Sequence, residues 1–168
     1  MQSTRGALVW LAVLSLLFLA TALKASAQAT STPEERALWV ETKHKLENSP
    51  LDDSVNKQGE VALKQVSDAH DIHVPLCPGL LSGFSGMKYS YSRQITRQYM
   101  VASTAFLIEN PGKASDLAAM NLAAVESVLK TYQAILQQMP DAKAKALDDL
   151  LKKQSQGKLK DWVQQQCH

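Results

Sequence analysis

From Leu117 to Met139 apolar residues recur at helical spacing: Leu117, Met120, Ala124, Val128, Tyr132, Ile135 and Met139 trace one stripe, flanked by Leu122, Val125, Leu129 and Leu136. A helix with so wide an apolar face belongs at the centre of a protein, enclosed by other helices. Ser115 is placed to cap it, Pro140 to end it, and Glu126 and Lys130 pair on its polar side. Strand signals are almost absent from the rest of the chain, so the partners of this helix have to be helices too.

They are legible in turn. Thr32-Pro33-Glu34-Glu35 is a capping box with proline at the first helical position, and Leu38, Trp39, Thr42 and Leu46 then share one side, which predicts a helix from about Pro33 to Glu47. Ser49-Pro50 repeats the device. Asp52 and Asp53 follow where the helix dipole favours negative charge, and Leu51, Val55, Ala62, Val66 and Ala69 carry a second helix to about His70. Gly59 lies on that stripe, where it costs helix propensity but lets a neighbour come close. A third helix starts near Tyr91, shows Tyr91, Ile95, Tyr99, Ala102 and Phe106, and stops at Asn110-Pro111-Gly112. Beyond the long helix, Leu147, Leu150 and Leu151 predict a fifth over Asp141 to Gln154, and Leu159, Trp162 and Val163 a short sixth from Lys158. The expected fold is all-α: a compact antiparallel bundle of four main helices plus one or two short ones.

Between 71 and 90 the periodicity disappears, and Pro75, Pro78, Gly79, Gly83 and Gly86 break regular structure. A long irregular loop is expected there, with room for a short turn of helix. Loops of this length are often functional, and Leu76, Leu80, Leu81, Phe84 and Met87 make this one apolar enough to pack over the core as a lid.

The start of the chain has the composition of a secretory signal peptide over residues 1–27. Arg5 precedes an apolar run from Ala7 to Leu23, and two small-residue cleavage sites follow, Ala25-Ser26-Ala27 and Ala27-Gln28-Ala29. Residues 28–168 then form a single helical domain with no membrane span. Of the 18 basic residues Arg5 and Lys24 are removed, so the remainder balances the 16 acidic ones. A balanced domain lacks the basic footprint of a nucleic-acid binder. Cys77 and Cys167 are the only cysteines, and in an exported chain a lone pair reads as one disulfide.

The run from Leu129 to Leu136, closed by Met139-Pro140-Asp141, together with Ala105-Phe106 before Pro111, resembles tetratricopeptide repeats. That family repeats about every 34 residues, whereas Pro111 and Pro140 are closer, and the tryptophan and Leu-Gly pair of its first helix are missing. The resemblance implies a fold only: irregular helical hairpins are the alternative to a bundle.

His70, Asp71 and His73, with Cys77 close behind, are the densest group of ligand-type residues. Their spacing fits neither a helical histidine pair nor a Cys-x2-Cys knuckle, so no metal or other cofactor is expected. The His70-Asp71 pair is similar to that of secreted phospholipase A2 in those two residues; the cysteine before it and the calcium loop of that family are missing, and no activity is carried over. Gly83-Phe84-Ser85-Gly86 falls one residue short of a nucleophile elbow and has no flanking strand.

The constellation suited to binding is Lys88, Tyr89, Tyr91, Arg93 and Arg97. Arg93 and Arg97 are four apart and project from one side of the third helix, at the edge of the loop. Two guanidiniums together chelate a carboxylate or phosphate, and tyrosines supply amphipathic contact area. The expected function is an exported, periplasmic or secreted, non-catalytic module that binds an unidentified protein or a small anionic ligand. A small secreted hydrolase with His70 or His73 as base, and a structural envelope component, are the competing readings.

Overall fold

Thr32 caps the first helix as the sequence requires: its hydroxyl accepts from the Glu35 N–H at 3.1 Å, and the Glu35 carboxylate accepts from the Thr32 N–H at 2.8 Å. The computed structural model describes residues 30–167, so the signal-peptide assignment lies outside the described residues. Helix α1 (Pro33–Asn48) buries Trp39, Thr42, Leu46 and Glu47. Helix α2 (Asp53–Asp68) is capped by Asp52, whose carboxylate accepts from the N–H groups of Ser54 and Val55, and not by the Ser49-Pro50 pair before it. Helix α3 (Pro78–Ser85) occupies the middle of the segment expected to be irregular. Then come α4 (Ser92–Glu109), a 3-10 turn (Pro111–Lys113) and the long α5 (Leu117–Gln138), capped by Asp116 in place of the expected Ser115. Two short helices close the chain, α6 (Lys145–Ser155) and α7 (Leu159–Gln166).

The described residues therefore form an all-helical bundle of four main helices with three short ones, one more than expected. The addition is α3. Pro78 is tolerated because it sits in the first turn, and Leu80 and Phe84, four apart, are 2 % and 3 % exposed, with the Phe84 ring 5.6 Å from that of Tyr99. The segment does pack down on the core, but as a helix. Its glycine has a reason: a side chain at Gly79 would collide with the backbone carbonyl of Gln166, so the absence of one lets α3 and α7 touch. Beside this contact Cys77 and Cys167 are joined, with Cα atoms 5.4 Å apart. The start of α6 also departs from expectation, at Lys145 instead of Asp141. The Ala144 N–H donates to the Tyr132 hydroxyl at 2.9 Å, which holds Ala144 extended ahead of the helix.

The central helix is α4, which packs against α1, α2, α3 and α5. Its surface is buried nearly all round, including Gln98, Ser103 and Thr104. The Ser103 and Thr104 hydroxyls donate to the carbonyls of Tyr99 and Met100 one turn back, which satisfies them without a partner on another helix. A polar layer joins α1, α4 and α5: the Ser127 hydroxyl donates to buried Glu47 at 2.6 Å, and the Gln98 amide donates to Ser127 and to the Lys43 carbonyl. The other amide atom of Gln98, its Oε1, is buried with no partner among the described residues. No helix among the described residues is long and apolar enough to cross a membrane.

Candidate functional site

Helix α2 carries Asn56 and Glu60 one turn apart, and α4 carries Arg93 and Arg97 one turn apart, so the two pairs meet where the helices cross. Both amide protons of Asn56 are engaged, with the carbonyls of Pro50 and Asp52 at 2.9 Å, which points its oxygen at Arg97 Nη1. Arg97 Nη2 donates to Glu60 Oε1 at 3.1 Å, and Arg93 Nη2 donates to the same oxygen at 2.6 Å. The stem of Arg97 lies against Gly59, where a Cβ would stand 2.7 Å from its Cδ. The close approach that Gly59 permits is thus made by an arginine side chain.

The two arginines differ in burial. The Arg97 side chain is 6 % exposed and that of Arg93 77 %, with Glu60 at 46 % between them. Burial pushes the Arg97 guanidinium down from its ordinary value; Glu60 pulls it back up and Arg93 lowers it further. All three line an open hollow of about 480 Å³. Ser85, Ser92 and Thr96 add hydroxyls to its wall, and Leu63 and Met100 add an apolar surface. The Thr96 hydroxyl is already committed to the Ser92 carbonyl at 2.8 Å.

Lys88, Tyr89 and Tyr91 do not line this hollow. Lys88 is exposed. Tyr89 packs edge-on against Tyr91 and Tyr132, with ring centroids 5.5 and 6.1 Å away, and its hydroxyl donates to the Ala142 carbonyl at 3.1 Å. Burial, followed by the neighbouring Tyr132, Tyr91 and Asp148, raises its phenol well above the ordinary value. The tyrosines thus brace the α5–α6 connection, while the arginines face α2. Asn56 and Glu60 are the members that sequence reasoning missed. Their signal was the four-residue spacing next to Gly59 on a helix expected to touch its neighbour.

His70 and His73 are exposed and line a different hollow of about 470 Å³, shared with Leu63, Val66 and Met100 and holding no carboxylate side chain among its lining residues. Asp71 is turned away from them. It accepts from the Ser31 N–H and hydroxyl, both at 2.8 Å, and from Arg36 Nη2 at 2.7 Å. Among the described residues no three His, Cys, Asp or Glu side chains gather in a metal-holding group. A further hollow, about 520 Å³, lies beside the disulfide and is walled by Pro75, Leu76, Leu117 and Val163. Its Asn121 is occupied, accepting from the Tyr99 hydroxyl and donating to the Leu117 carbonyl.

Comparison with protein-family models, with curated proteins and with solved structures returned no match.

Proposed function

We propose that this chain is an exported, non-catalytic binding module that holds a small ligand by an anionic group in the hollow between α2 and α4. The observation that carries the reading is the Arg93 guanidinium, which lines that hollow and spends one N–H on Glu60 while Arg97 anchors the same carboxylate from behind. An anion there gains a charge-assisted contact on a scaffold that is already ordered, so little conformational entropy is lost on binding. Export is supported by the composition of residues 1–27 and by the disulfide, which persists in oxidising compartments.

The test is a calorimetric titration with carboxylates, amino acids and inorganic phosphate, on the wild type and on Arg93→Gln. Arg93 is exposed and removable, whereas Arg97 is part of the packing. An exposed ion pair contributes under about 1 kcal/mol, but a charge-assisted bond shielded by the ligand that covers it contributes about 1.5–3 kcal/mol, so Arg93→Gln should weaken binding tenfold or more, and added salt should weaken the wild type. Unchanged affinity in the variant overturns the proposal.

A further inference from the structure

From the pairing at Glu60 we infer that the hollow selects a zwitterion, a small molecule carrying an ammonium and a carboxylate beside an aliphatic side chain, of which a free aliphatic amino acid is the simplest case. This rests on the α2–α4 hollow being the binding site and adds the class of its ligand. Arg93 and Arg97 bring two positive charges and Glu60 one negative. Both guanidiniums fall on the same atom, Glu60 Oε1. Among the described residues Glu60 Oε2 accepts no hydrogen bond, and Arg93 makes no bond beyond that of its Nη2. The site thus offers one open acceptor with negative charge next to one open set of donors with positive charge.

A simple anion gains Arg93 but meets the Glu60 carboxylate beside it, which weakens the attraction; a simple cation gains Glu60 but meets two guanidiniums. A molecule with both charges answers both groups at once, and discrimination comes as much from the repulsion of the single-charge analogues as from the attraction. The apolar part of the ligand has a place on Leu63 and Met100, both half-buried on the wall of the hollow. Ser92, whose hydroxyl has no partner among the described residues, stands on the same wall as a further donor for the carboxylate.

The probes are L-leucine, 4-methylpentanoate, which lacks its ammonium, and 3-methylbutylamine, which lacks its carboxylate, each titrated calorimetrically up to 10 mM. Leucine should bind at least tenfold more tightly than either analogue. Glu60→Gln should weaken leucine at least tenfold while leaving 4-methylpentanoate equal or tighter, and Arg93→Gln should weaken both. Thermal melts of the two variants confirm that they are folded, and the analogue series on the wild type needs no variant. If 4-methylpentanoate binds as tightly as leucine and depends on Arg93, the anion-binding reading stands and zwitterion selection is overturned. Zwitterion selection is equally overturned if the amine binds best. If none of the three binds, zwitterion selection is overturned, and the anion-binding reading falls with it only if inorganic phosphate also fails to bind.

Discussion

Gly59→Ala tests the packing that positions Arg97, and the two effects it sets against each other have comparable size. In a helix interior alanine is favoured over glycine by about 1 kcal/mol, so with open space around it the substitution would stabilise α2. The space is not open: the new Cβ would stand 2.7 Å from Arg97 Cδ and 3.1 Å from Leu46 Cδ1. Leu46 is 1 % exposed, so its shift must be taken up inside the core, and the Arg97 head is tied to Asn56 and Glu60. Forcing an extra methyl into such a site costs about 1–3 kcal/mol, and swinging the arginine out instead forfeits a charge-assisted bond of similar size. Packing wins by either route. The expected net loss is about 1–2 kcal/mol, or roughly 5 °C in Tm for a domain of this size, read from urea unfolding followed by circular dichroism. In an Arg97→Ala background the same substitution should cost at least about 1 kcal/mol less, because the obstructing stem is gone. A Gly59→Ala protein as stable as wild type, or additive behaviour in the double variant, would refute the reasoning.

Three further outcomes follow. Tyr132→Phe removes the acceptor of the Ala144 N–H and the donor to Asp148, and should cost about 1–3 kcal/mol in urea unfolding with faster hydrogen exchange at the start of α6. Hydrogen bonds from the Ser31 N–H, then Arg36 and the Ser31 hydroxyl, hold the Asp71 carboxyl far below its ordinary value of 3.8, so the tether of residue 31 should be intact above that pH and be lost as the pH falls toward the depressed folded value. Exchange of the Ser31 amide against pH reads this directly, and Asp71→Asn should abolish the dependence. Replacing both cysteines by alanine opens a loop of sequence separation 90, whose closure is worth at most about 4.6 kcal/mol; a loss of about 2–4 kcal/mol in urea unfolding is expected, and one below 1 kcal/mol would show that the bond does not constrain the unfolded chain.

Helices with a marked stripe and a local cap were legible. Thr32 with Glu35, and the stripe from Leu117 onward, carry their own instructions. The extent of helix α3 was hidden because Pro78, Gly79 and Gly83 read as breakers around at most a short turn, and what forms it is tertiary: Leu80 and Phe84 reach the core, and α7 passes over Gly79. The central place of α4 was hidden for a different reason. Gln98, Ser103 and Thr104 look solvated in the sequence, and their burial depends on bonds to neighbouring carbonyls and to Ser127 that no periodicity encodes. The arginine pair was legible as a pair, but its partner Glu60 and the split in burial between Arg93 and Arg97 follow from how α2 crosses α4. That crossing is long-range information.

The Cys77–Cys167 bond divides the molecule into two kinds of material. Helices α3 to α7 lie inside one covalent ring, and α1 and α2 form a hairpin outside it, attached through residues 69–76 and held otherwise by contacts such as those of Trp39 and Leu46. A protease that nicks the exposed turn at Met139 to Asp141 would leave a two-chain molecule whose halves part only when reductant is added. A nick between 69 and 76 would instead leave the hairpin with no covalent tie to the ring, held only by the packing of residues such as Trp39 and Leu46. Since that hairpin supplies Asn56 and Glu60, the counter-charge of the arginines on the ring would then rest on packing alone.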